Sequence, residues 1–109
     1  MSALSGLAVN GAIPIGNGPI HHWSNGIPFN AAGRVVMVNG GLVTHIQNGI
    51  PFNAAGEIPY ILNDPDHWSC GLPFGPLLTR QLCVNVGGVP ARYSSGVPFN
   101  AAGRIVVAP

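Results

Sequence analysis

One block of residues, Gly-aliphatic-Pro-Phe-Asn-Ala-Ala-Gly, is written three times into this chain and a fourth time in worn form. Residues 25–36 read NGIPFNAAGRVV, 48–58 read NGIPFNAAGEI, 95–107 read SGVPFNAAGRIVV, and 70–84 read CGLPFGPLLTRQLCV. The anchoring glycines Gly26, Gly49, Gly71 and Gly96 are 23, 22 and 25 residues apart. A repeat of this period is a single supersecondary unit that cannot bury its own apolar face, so the units must pack on one another. The third copy has lost its Asn-Ala-Ala-Gly, and Arg80 stands one place later than Arg34 would predict, which reads as a one-residue insertion. Upstream, His22, His45, His67 and Arg92 precede the glycines by four residues, and Trp23, Ile46, Trp68 and Tyr93 by three.

Each part of the unit has a conformational meaning. Asn25-Gly26 and Asn48-Gly49 lie between apolar positions, and Gly71 and Gly96 take the same place. Such a pair predicts a two-residue hairpin, because a type I′ turn needs positive φ at both central residues. Asn30 to Gly33, Asn53 to Gly56 and Asn100 to Gly103 place Asn first and Gly fourth, the preferences of a type I turn whose Gly adopts the left-handed conformation. The β-branched runs that follow, Arg34 to Val38 and Arg104 to Val107, predict strands. In the first unit the expected strands are Ile20–Ser24, Ile27–Phe29 and Arg34–Val38. Pro28, Pro51, Pro73 and Pro98 donate no ladder hydrogen bond, so the middle strand needs an edge, a strand start or a bulge there. Phe29, Phe52, Phe74 and Phe99 are the expected core anchors. One buried ring contributes about 2–3 kcal/mol of transfer free energy.

The fold class expected is therefore all-β: three to four short β-meander repeats of about 23 residues, packed as a prism or barrel, with a linear β-solenoid as the alternative. The units run about 20–42, 43–64, 65–89 and 90–109. Residues 1–19, with Gly11, Pro14, Gly16, Gly18 and Pro19, fit no copy and read as an extended N-terminal arm or cap. Only Pro76 to Val84 leaves room for a helical period free of further Gly and Pro.

Composition narrows the function classes. Charged residues make up 6% of 109, as four arginines and three acids without a lysine, for a net charge of +1. No basic patch exists to drive nucleic-acid or anionic-lipid binding through counterion release. A soluble domain normally covers its exterior with about a quarter charged residues. This chain has too few, so part of its exterior is expected to lie against partner chains. The apolar runs are too short and broken for a spanning helix, and Met1 to Gly11 lacks the basic start of a secretory signal. The spacing of Cys70 and Cys83 leaves both reduced thiols and a disulfide open.

The candidate chemical groups are few. His22, His45 and His67 share one repeat position. Convergence on a metal competes with imidazoles packed beside Trp23 or Trp68 with one ring nitrogen bonded to the backbone, and the absence of ligand spacing favours packing. Asn63-Asp64-Pro65-Asp66 lacks the glycine and downstream acid of a calcium loop and reads as a turn. No nucleophile motif or phosphate loop occurs, so no catalytic residue, metal or cofactor is expected, and the chain is not expected to be an enzyme. Trp23, Trp68 and Tyr93, one per unit, are candidates either for packing between strands or chains, or for stacking on sugar rings.

The block His/Arg-aromatic-Ser-x-Gly-aliphatic-Pro-Phe-Asn-Ala-Ala-Gly, covering residues 22–107, resembles tandem Gly-Leu-Pro-Phe…Gly segments in small structural proteins of tailed bacteriophages. That resemblance implies a virion protein assembled in the bacterial host cytoplasm. A capsid decoration or cement protein is implied first, contacting the major capsid protein or other virion proteins as a homo-oligomer, with a trimer favoured. A tail or head fibre module that binds host glycan is implied second. It carries over no catalytic residue.

Overall fold

The structure is a computed structural model that describes residues 11–76 and 80–109. The described residues form strands and turns without a helix. Strand β1 spans Ile13–Gly16. Unit one holds β2 (His22–Ser24), β3 (Ile27–Phe29) and β4 (Val35–Asn39). Unit two holds β5 (His45–Gln47), β6 (Ile50–Phe52) and β7 (Ile58–Ile61). Unit three holds β8 (His67–Ser69), β9 (Leu72–Phe74) and β10 (Leu82–Val86). Unit four holds β11 (Arg92–Ser94), β12 (Val97–Phe99) and β13 (Ile105–Ala108).

The third strands of the units pair with one another in parallel, and β1 completes the circle. Ile15 pairs with Val35, Met37 with Ile58, Tyr60 with Leu82, Val84 with Ile105, and Val107 with Ile13. Every step moves two residues along a strand, so one circuit of the five strands staggers the register by ten residues. This is the tilt and shear that closing a small barrel requires. The closure decides between the two architectures expected from the repeats: the units form a barrel rather than an open stack. The principal extents of 32 × 32 × 23 Å match units arranged about one short axis.

The ten residues on that path point inward and belong to one apolar cluster, with Tyr60 at its margin. Ile27, Ile50, Leu72 and Val97 from the hairpins join the same cluster, as do the four Phe anchors, Phe29 being only partly buried. The outer faces of the barrel strands are covered too. Val36, Cys83 and Val106 are fully buried, and the Cys83 thiol lies 3.7 Å from the Asp64 carbonyl of the loop after β7. Burial on both faces explains the unbroken apolar runs of parallel strands such as Val35 to Val38.

The turns follow the repeat. Asn25 and Gly26 have φ of 53° and 82°, and Asn48-Gly49, Cys70-Gly71 and Ser95-Gly96 repeat these values within a few degrees. All four pairs therefore have the left-handed geometry of a type I′ turn, which favours Asn-Gly. The side chain of Asn30 then organises the second turn. Its Oδ1 accepts from the Ala32 and Arg34 N–H groups, and Asn53 and Asn100 do the same in their units. Pro28 stands opposite Trp23, between the Ser24–Ile27 and His22–Phe29 pairs. Alternation after a two-residue turn makes Trp23–Pro28 the non-bonded pair, and β3 meets β4 only at Phe29–Val35. The missing N–H therefore breaks no ladder.

Three expectations are corrected. Ile13–Gly16, read as part of an extended arm or cap, is a barrel strand held between β4 and β13; residues 1–10 of that segment lie outside the described residues. Within Pro76 to Val84, read as the one place for a helix, Leu82 to Val84 belong to a strand, and residues 77–79 lie outside the described residues. The worn unit carries two extra residues, not one. Its closing bond runs from the Gly75 N–H to the Gln81 carbonyl, where the other units join Asn30 to Arg34 or Asn100 to Arg104. Gln81 therefore takes the place of Arg34. Arg80, with φ of 55°, takes the place of Gly33, Gly56 and Gly103.

Candidate functional site

The residue four places before each turn glycine lies against the Phe of its own unit. His22 stacks on Phe29, His45 on Phe52 and His67 on Phe74, with centroids 5.3, 5.4 and 5.8 Å apart. In unit four the Arg92 guanidinium sits 5.0 Å from the Phe99 ring. The expected packing of these imidazoles is thus found, but on Phe rather than beside Trp. The cause is register: His22 is the cross-strand partner of Phe29, so both side chains leave the hairpin on the same face. The Nδ1 atoms meet the preceding side chains instead of backbone: His21, Thr44 and Asp66. Among the described residues no three His, Cys, Asp or Glu side chains come together.

The aromatic residues three places before the glycine leave the opposite face and reach the next unit. Trp23 lies against Phe52 and Trp68 against Phe99, at 5.8 and 5.5 Å and the same interplanar angle of 50°. Each indole also covers a turn glycine. A Cβ on Gly56 would come within 3.1 Å of Trp23 Cζ2, and one on Gly103 within 3.2 Å of Trp68 Cζ2. Tyr93 closes the circle over Gly11, where a Cβ would meet its hydroxyl at 3.1 Å. Trp23, Trp68 and Tyr93 therefore join neighbouring units, and they remain 52%, 46% and 56% exposed. With Ile46, 42% exposed, they form a belt of half-open apolar side chains, one per unit.

One junction departs from this pattern. Between units two and three the bridging position is Ile46, and the turn position it faces is Arg80 instead of glycine. The pairing is not visible in the sequence, because the two extra residues hide Arg80's equivalence to Gly56. The physical link is plain: a Cβ at the glycine position collides with an indole, so a side-chain-bearing residue there is compatible only with a shorter bridging residue. The result is a lateral groove of about 390 Å³ lined by Ile46, Gly49, His67, Trp68, Ser69, Cys70, Phe74 and Arg80.

A second cavity, of about 430 Å³, opens where the hairpin turns of units two, three and four approach one another, around Asn48, Cys70, Gly71, Ser94 and Ser95 over Leu72 and Val97. Successive turns touch there: a Cβ on Gly49 would lie 3.2 Å from Cys70 Cβ. Both cysteines are free, Cys70 exposed and Cys83 buried, which settles the alternative left open by their spacing. Burial holds the Cys83 thiol above its ordinary pKa, opposed by the charge of Arg104.

The two arginines that precede barrel strands act within the fold. Arg34 donates from one guanidinium nitrogen to the carbonyls of Ile15 and Ala108, and Arg104 donates from two nitrogens to that of Val84. Each reaches the carbonyl of the residue paired with the first residue of its own strand and so seals a seam of the barrel. Glu57 instead accepts from Asn53 Nδ2. Gln81 donates to the Gly41 carbonyl at 2.7 Å and leaves its Oε1 buried without a partner. Compared with known proteins, the sequence matches no family model, and no curated protein and no solved structure matches it.

Proposed function

We propose that this chain is a non-catalytic building piece that acts through protein–protein contacts, in the virion setting that its repeat resemblance implies, as a capsid decoration protein. The observation that carries the reading is the belt of Trp23, Ile46, Trp68 and Tyr93. These side chains expose large apolar area around a body with few charges, and apolar area of this kind marks contact surfaces. The end of β10 and the loops after the barrel strands add exposed Val86, Leu42, Leu62 and Val89. A closed barrel is a rigid carrier for such a surface.

The test is co-sedimentation of purified protein with phage heads, alongside sedimentation velocity of the protein alone. The expectation is a symmetric oligomer, a trimer first, that binds heads at fixed copy number and loses both properties when Trp23 and Tyr93 become Ser. A monomer that binds no particle would refute the reading. The half exposure of the three aromatics also favours a second reading, a fibre-type module that stacks on host glycan, since each ring keeps an open side. A glycan array without a binder would exclude it.

A further inference from the structure

Between units two and three the bridging ring and the turn glycine found at the Trp23 and Trp68 junctions are both replaced, by Ile46 and Arg80. We propose that the groove there is a binding site for an aromatic side chain flanked by a carboxylate on a partner polypeptide, an inference that rests on the protein–protein reading above. The ring chemistry follows from the molecule itself. At the two indole-bridged junctions the bridging ring lies on the Phe of the next unit, Trp23 on Phe52 and Trp68 on Phe99. At the third the Phe is kept, as Phe74, but no ring of this chain covers it from unit two, and Ile46 leaves a cavity of about 390 Å³. A ring delivered from outside finds the surroundings that the other junctions provide from within, with the exposed Trp68 as a second wall. Aromatic pairs at such distances are favourable beyond their area alone.

The charge preference follows from Arg80, which lines the same groove with no acid among its described lining residues; His67 is already paired with Asp66 at 3.3 Å and adds none. Arg80 is held at a φ of 55° in a position that glycine occupies in the other units. Left-handed backbone at a residue with a long side chain is unfavourable, and such positions gather at functional sites. An arginine lining the groove supplies a planar cation with several donors, suited to a carboxylate beside the seated ring.

The test is a titration of isotope-labelled protein, followed by amide and indole resonances, with three capped dipeptides: acetyl-Trp-Asp-amide, acetyl-Ala-Asp-amide and acetyl-Trp-Asn-amide. The first should shift Ile46, Gly49, Phe74 and the Trp68 indole N–H at sub-millimolar concentration. The other two should bind about tenfold more weakly or worse. Arg80→Gly should reduce the first peptide to the affinity of the Asn peptide. The double variant Ile46→Trp with Arg80→Gly restores the bridging pair found at Trp23 and Gly56. It should melt no lower than the parent and lose binding altogether. The proposal is overturned if the Trp-Asp peptide causes no shift at millimolar concentration, if the three peptides bind alike, or if the refilled double variant binds as well as the parent. No particle takes part in this titration, so its failure is separate from a failure of the assembly reading.

Discussion

The indole of Trp23 rests on Gly56 of the following unit, 3.1 Å from where a Cβ would stand. Gly33 occupies the same turn position in unit one with the same left-handed backbone, φ of 77° against 83°, but has nothing within 4 Å of its would-be Cβ. The pair separates backbone strain from loss of the indole's seat. Gly33→Ala should lower stability by about 1 kcal/mol, the strain of a left-handed alanine. Gly56→Ala should lose about 2 kcal/mol or more, because Trp23 must also move. Urea denaturation of the two variants measures the difference, and equal losses would exclude a contribution from the indole contact.

Depth of burial orders the Phe anchors. Phe52, Phe74 and Phe99 are almost wholly enclosed, while Phe29 is partly open. Truncation to Ala is expected to cost about 3–5 kcal/mol at the first three and less at Phe29. Chemical denaturation of the four variants gives the ranking, and a Phe29 loss as large as the others would contradict it.

The hairpin turns of units three and four carry Cys70 and Ser95 at φ of 56° and 52°, where units one and two carry Asn. Asn tolerates this region better than Cys or Ser. Cys70→Asn and Ser95→Asn should each raise stability by a few tenths of a kcal/mol to about 1 kcal/mol, read as an upward shift of Tm. A fall in Tm for both would show that the cavity around these turns, not the turn itself, sets the residue choice.

Burial raises the pKa of Cys83, and the sign of the pH effect follows. The unfolded chain ionises this thiol near its ordinary value of about 8.5, while the folded thiol stays neutral to higher pH. The associated stability is complete below the unfolded value and is lost as pH rises through the folded one. Stability should therefore decline on the alkaline side of about pH 8.5, and less so in Cys83→Val. In the native state at neutral pH, iodoacetamide should modify the exposed Cys70 well before Cys83; comparable rates at both would argue against the enclosure of β10.

The local chemistry of this fold is legible residue by residue, while its long-range arrangement is not. Asn-Gly and Asn-Ala-Ala-Gly encode backbone conformations through side chains that act within four residues, so the hairpins and second turns follow directly from the sequence. Parallel pairing of the third strands depends on contacts more than 20 residues apart, such as Met37 with Ile58, and no local pattern carries it. β1 is not legible in the sequence because Ile13-Pro14-Ile15-Gly16 keeps only the inward positions of its counterparts, Ile13 and Ile15. The groove stayed hidden for a similar reason: Ile46 and Arg80 are ordinary residues whose meaning appears only when the units are superposed in space.

The barrel's closure through Ile13 and Val107 also governs how such a molecule can change. A linear stack of repeats can gain or lose a member at either end, because each member answers only to its neighbours. A closed barrel ties strand number, tilt and stagger together, so a sixth staff would widen it beyond what two inward side chains per strand can fill. Descent with modification is then channelled outward. Arg80 in place of glycine, Ile46 in place of an aromatic and two added residues all alter the projecting hairpins and their junctions, while the count of five stays fixed by geometry.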